Sequence, residues 1–178
     1  MYANTFRKTA PTKWLTVTAM LMAVNIAMSS FGIPVPGGHL YLNDAIICIA
    51  ALLLDPLGAF CVGGIGAFLG DFFFYPAPMF VSLAVHGLQA VVISLVFNGS
   101  HRRFRGAAVG VVLGILINVV GYSLGRALVY ATPQAALLKL PFQIFQASFG
   151  AAVSLLLVFK TGFLRYWDTF TAPRNSAA

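Results

Sequence analysis

His86 and Gln89 stand three residues apart in the apolar stretch "FVSLAVHGLQAVVISLVF", so on a helix they share a face. Asn118, Tyr122 and Arg126 recur every four residues, which places them on one helical stripe. Gln143 and Gln146 form a third group at helical spacing, and Asp71 and Tyr75 bracket the aromatic run "DFFFY". Carboxamides, an imidazole and phenols at such spacing give and take hydrogen bonds and offer flat faces for stacking. That is the chemistry of holding a small polar heterocycle. It is not the chemistry of a hydrolase. Ser82 lies one helical turn from His86, but no third partner is evident, and pairing His86 with Asp71 supplies no nucleophile. Asp, His and Cys nowhere fall at a metal-ligand spacing, so neither catalytic residues nor a metal is expected.

These groups sit in a chain of 178 residues that is 60% hydrophobic and 8% charged. Soluble domains carry about 25% charged residues, so an integral membrane protein of several spans is expected. The net charge of +7 gathers at the ends of apolar runs. Orientation in a bilayer explains that placement better than nucleic acid does, and no nucleic-acid partner is expected. Six apolar segments cover residues 13–33, 42–54, 56–71, 78–97, 106–130 and 140–163. Asn43 and Asp44 can cap the second, Asp55 before Pro56 reads as an N-cap for the third, and Pro78 and Pro141 suit first turns. The second segment would rise only about 20 Å, short of a hydrocarbon core of about 30 Å. Charge nevertheless favours six spans over five. With the N-terminus inside, Arg7, Lys8, Lys13, Arg102, Arg103, Arg105, Lys160, Arg165 and Arg174 are cytoplasmic, and only Arg126 and Lys139 lie outside. The expected fold is therefore an all-α bundle of six transmembrane helices with both termini cytoplasmic. It comprises a tail over 1–12, a membrane domain over 13–163 and a tail over 164–178. The first residues are polar and basic and the following apolar run is too long for an h-region, so no cleavable signal is expected.

In that orientation His86, Gln89, Asn118, Tyr122, Arg126, Gln143 and Gln146 converge at one depth near the outer face. Polar side chains inside a membrane are costly unless they meet each other, water or a ligand. Singly they could be interhelical glue; together they describe a pocket open to the outside. The loop "PVPGGHLYLND" brings His39 and Tyr41, either as a lid over the pocket mouth or as an ordinary turn. Lys139 reads as a snorkelling residue and Asn25 as glue. Ala19, Ala23 and Ala27 line one face of the first span, and small residues so spaced admit a close helix, with packing inside the chain as the default. Cys48 and Cys61 read as buried small residues, and "NGS" at 98–100 falls in a cytoplasmic loop. There is no phosphate-binding loop, so active transport would draw its energy from a partner or an ion gradient.

The order "AMLMA", "GIPVPGGHLYLNDAI", "AALLLDPLGAFCVGGIGAFLGD" and "HGLQ" resembles the substrate-binding S components of energy-coupling factor (ECF) vitamin transporters across about residues 14–163. Asp55 stands where glycine is commoner in that family. The resemblance implies high-affinity capture of a vitamin or precursor from outside the prokaryotic plasma membrane. It also implies docking through Ala19, Ala23 and Ala27 on a transmembrane T component driven by two ATPases. ATP would then be used by the partners, with no cofactor in this chain. Substrate-binding roles fall to His86, Gln89, Asn118, Tyr122, Gln143, Gln146, Tyr75, Arg126 and His39. The family members most similar in general look take hydroxymethylpyrimidine or vitamin B6. Arg126 and Lys139 keep an acid such as pantothenate or niacin open. A stand-alone channel or ion-coupled carrier is the competing function, though no internal repeat supports it.

Overall fold

The computed structural model describes residues 2–172, and Arg174, expected to be cytoplasmic, lies outside them. Six apolar helices follow the six expected segments, the first two joined by a hairpin and the others by short connections. They are α2 (Pro11–Met28), α3 (Asn43–Leu53), α4 (Pro56–Phe74), α5 (Met79–Gly99), α6 (Phe104–Tyr130) and α7 (Pro133–Lys160). Four of them, α4 to α7, are long and apolar enough to cross a bilayer among the described residues. Large apolar side chains such as Phe80, Leu88, Leu116, Leu124, Phe145 and Leu156 remain exposed on these four helices. So broad an apolar surface is stable only against lipid or another protein.

The short α3 packs against α2, α5 and α7, and all of its residues except Ile46 are buried. It forms the axis of the bundle, and its length need not match a bilayer because its neighbours enclose it. Glycines permit this closeness. At Gly63 on α4 an added Cβ would lie 3.1 Å from Ile47 Cγ2 on α3, and 2.8 Å from the Ala90 Cβ and 2.9 Å from the His86 carbonyl oxygen on α5. At Gly150 it would lie 2.7 Å from the Asp44 Cβ. The helix α4 passes through a π-turn at Cys61–Ile65. Such turns loosen the backbone hydrogen-bond ladder, and here Asn25 donates to the Val62 carbonyl at 2.7 Å. Asn25 is fully buried, and it joins α2 to α4 as glue.

Several boundaries differ from expectation. The first helix ends at Met28, and Ile33–Val35 and Gly38–Leu40 form an antiparallel hairpin, β1 and β2. Pro36 and Gly37 form its tight turn, with Gly37 at φ +80° as the third position of a type II turn requires. Asn43 and Asp44 do not cap α3. Leu42 holds the cap position without a side-chain bond, and Asp44 turns into the core. Pro141 is inside α7, whose start is set by Thr132, which accepts from Ala135 N at 3.2 Å, and by Pro133 in the first turn. Lys139 does not snorkel. It is 1% exposed and donates to the His39 carbonyl at 2.7 Å, which fastens the hairpin to α7. The Asp55 cap is observed, with Gly58 N at 3.3 Å.

Neither expected tail is a plain extension. Residues Tyr2–Thr9 form helix α1 and Phe163–Thr171 form helix α8. They meet through Phe6 and Trp167, whose ring centroids lie 5.8 Å apart. Arg7 pairs with Asp55 at 3.1 Å and Arg102 with Asp168 at 3.0 Å. Both terminal helices therefore cover one end of the bundle, and the hairpin covers the other. Cys48 is buried, but Cys61, on the π-turn, is half-exposed, contrary to the reading of both as interior residues.

Candidate functional site

At the hairpin end the helices part around a small cavity of about 30 Å³. Its walls are aromatic, from Tyr41 after the hairpin, Tyr75 at the end of α4, and Tyr122 and Tyr130 on α6. His86, Gln143 and Gln146 line it from α5 and α7, with Asp71, Ser82 and Arg126 around them. The hairpin contributes His39, whose ring lies 5.4 Å from that of Tyr75.

Beneath the cavity is a network with Asp44 at its centre. Gln146 Nε2 donates to Asp44 Oδ2 at 2.6 Å, and Asn118 Nδ2 donates to Oδ1 at 2.9 Å. Gln89 Nε2 approaches the same Oδ1 at 3.5 Å. Asn118 also donates to Gln89 Oε1 at 3.0 Å and accepts from Gln143 Nε2 at 2.5 Å. His86 Nδ1 lies 2.9 Å from Gln89 Oε1. Asp44, Gln89 and Asn118 are each at most 1% exposed. A carboxylate so deep would be strongly destabilising without donors, and carboxamides from three helices surround it. A second chain of bonds joins Asp71 to Ser82, which donates to it, and Ser82 to Tyr122, at 2.5 Å.

Gln146 belongs to two systems at once. Its nitrogen holds Asp44, and its Oε1 accepts from Tyr41 N at 3.0 Å, which ties the segment after the hairpin to the network. Burial, with the Asp71 charge adding to it, pushes the Tyr41 phenol up to about 12. It is a neutral hydrogen-bonding group at any physiological pH.

The structure thus gathers His86, Gln89, Asn118, Tyr122, Gln143, Gln146, Tyr75, Arg126 and His39 at one end of the bundle. Gln89 and Asn118 stand behind the lining, and the others reach it. Arg126 lies in a second π-turn, Arg126–Tyr130, 8% exposed, with its guanidinium over the Tyr130 ring. Asp44 was missed as a site residue. The signal was present: the chain has only four acidic residues, and an acid beside an apolar segment demands an explanation. Its position at a helix start supplied the competing capping explanation. Ala19, Ala23 and Ala27 are all exposed on the outer face of α2, so they do not pack inside this chain.

One protein-family model, described as "ECF-type riboflavin transporter, S component", matches residues 9–161. Among solved structures, one described as "Structure and mechanism of the S component of a bacterial ECF transporter" matches with a TM-score of 0.72 at 15% identity. The match covers 86% of this chain and 97% of that one. No curated protein matches. The fold is thus shared with a transport subunit, and the family model spans nearly all of the helical bundle. The chain belongs to the family of ECF-type riboflavin transporter S components.

Proposed function

We propose that this chain is the membrane-embedded binding subunit of an ECF importer in a prokaryotic plasma membrane, capturing a flat heterocyclic vitamin from outside. The observation that carries this reading is the carboxamide–carboxylate network beneath a tyrosine-walled cavity. Neither component alone implies a ligand. Together they supply hydrogen bonds for the edge of a ring and faces for its plane. The residues proposed to bind it are His86, Tyr122, Gln143 and Gln146, with Gln89 and Asn118 behind them and Tyr75, Arg126 and His39 at the mouth.

All six apolar helices span in this reading, and the domain limits stay at 13–163 with α1 and α8 on the cytoplasmic side. Basic residues support the orientation: Arg7, Lys8, Lys13, Arg102, Arg103, Arg105, Lys160 and Arg165 belong to the end covered by the terminal helices, and Arg126 and Lys139 to the hairpin end. The exposed alanine face of α2 is the proposed dock for a T component, whose two ATPases supply the energy.

Riboflavin replaces hydroxymethylpyrimidine and vitamin B6 as the first substrate to test, because the family that the chain joins is named for it. Titration of the purified chain with riboflavin, hydroxymethylpyrimidine, pyridoxine, pantothenate and niacin tests the reading. Sub-micromolar binding of one of the first three is expected. Failure of all three, or tight binding of only an acid, would sink the heterocycle reading. ATP-independent uptake by the chain alone in vesicles would instead favour a carrier.

A further inference from the structure

The proton polarity of the buried network has a consequence for the ligand, and it rests on the vitamin-capture reading above. A carboxylate has no hydrogen to give, so Asp44 fixes which way each neighbouring carboxamide faces. Gln146 and Asn118 must turn their nitrogens to it, as they do at 2.6 and 2.9 Å. The second hydrogen of Asn118 Nδ2 then goes to Gln89 Oε1, and Asn118 Oδ1 must accept from Gln143 Nε2. That leaves the carbonyl oxygen of Gln143, and the second hydrogen of its Nε2, without a protein partner among the described residues. His86 Nδ1 faces only acceptors, Gln89 Oε1 at 2.9 Å and Asp44 Oδ1 at 3.9 Å, so Nδ1 carries the hydrogen. In the neutral ring Nε2 is then a bare acceptor. Asp71 imposes the same direction on its own chain: Ser82 donates to it, so Tyr122 must donate to Ser82 and keeps only its lone pairs.

We infer that the wall of the cavity made by His86, Tyr122 and Gln143 presents three acceptors against one free amide hydrogen of Gln143, and that the chain selects vitamins whose inner edge donates hydrogen bonds through a ring N–H or an exocyclic amino group. Asp44 is the positioning residue for this selectivity and does not touch the ligand. An edge carrying only carbonyl or carboxylate oxygens would find one amide hydrogen on this wall and would otherwise face lone pairs with lone pairs. Burying such a mismatch costs more than a missing contact.

The test compares isosteric pairs on the purified, full-length chain. Riboflavin is matched with its analogue carrying carbon at ring position 3. Hydroxymethylpyrimidine is matched with its analogue carrying methyl in place of the amino group. Whichever parent binds, its partner lacking the donor is expected to bind at least about tenfold more weakly, the scale of one buried hydrogen bond to an unpaired acceptor. In Asp44→Asn the new amide can give or take, the orientation of the carboxamides is released, and the ratio within the pair is expected to narrow. Equal binding within the pair by the native chain overturns the inference and leaves vitamin capture standing. A folded Asp44→Asn variant with an unchanged ratio also overturns it. If neither parent binds, the inference falls, and the proposed function falls with it only when pyridoxine fails too. Should Asp44→Asn fail to fold, the native-chain pairs decide the matter alone.

Discussion

Asn118 shows how much one side chain carries here. It is fully buried, donates to Asp44 and Gln89, and accepts from Gln143. Asn118→Leu would leave three groups each short of a partner, at about 1–3 kcal/mol for each one that cannot find another. Interhelical hydrogen bonds in membranes average less, about 0.6 kcal/mol, because the groups find substitutes. The expected outcome is a loss of ligand affinity of at least about tenfold, with a melting temperature lowered by only a few degrees. Calorimetric titration and a thermal melt in detergent check the two halves separately. The polar members of this network were legible from residue type and spacing, since a buried amide in an apolar segment must answer for itself. Asp44 was not, because a carboxylate in the first turn of a helix satisfies a local rule equally well, and only the placement of α6 and α7 shows which demand prevails.

Among the elements, α5 depends on α4 being thin. Gly63 lets α4 approach the His86 carbonyl, and a side chain there would have to push α5 away. Gly63→Val is therefore expected to cost about 1–3 kcal/mol by overpacking and to displace His86 from the cavity wall. Asn25→Leu removes only the bond to Val62 at the π-turn, expected to cost less, about 0.6–1.7 kcal/mol. The first variant should lose binding and the second retain it; equal effects on binding would contradict this ranking. The six helices were readable from apolar length, four of them because a lipid-facing surface writes itself into composition. Their ends were less so. Pro141 marks no boundary, since Thr132 and Pro133 start α7 two turns earlier and Lys139 is absorbed by the hairpin. The hairpin itself was read as a loop, because two three-residue strands leave almost no periodic trace.

At the scale of the whole molecule, the proposed division between a ligand end and a partner face predicts separable phenotypes. Ala23 is exposed on α2 and does not line the cavity. Ala23→Trp is expected to leave vitamin binding within about twofold, as a surface change away from buried features should. Uptake by cells carrying the T component and ATPases should be abolished. Radiolabelled uptake beside binding to the purified chain measures both, and a parallel loss of binding would return the alanines to internal packing. Positive charge at one end of the bundle was readable from the start, as was the polar gathering at the other. What joined them into one object was α3, whose brevity made it the least convincing span and whose burial makes it the axis.

The two cysteines give this architecture a native clock. Cys61 is half-exposed on α4, whereas Cys48 is 2% exposed, with its sulfur 3.9 Å from Gln89 Nε2. A small membrane-permeant maleimide should tag the first thiol before the second, which reacts only when the helices around α3 separate. The lag between the two mass increments then times the opening of the bundle without any introduced label, and a guest that braces the surrounding amides should lengthen it.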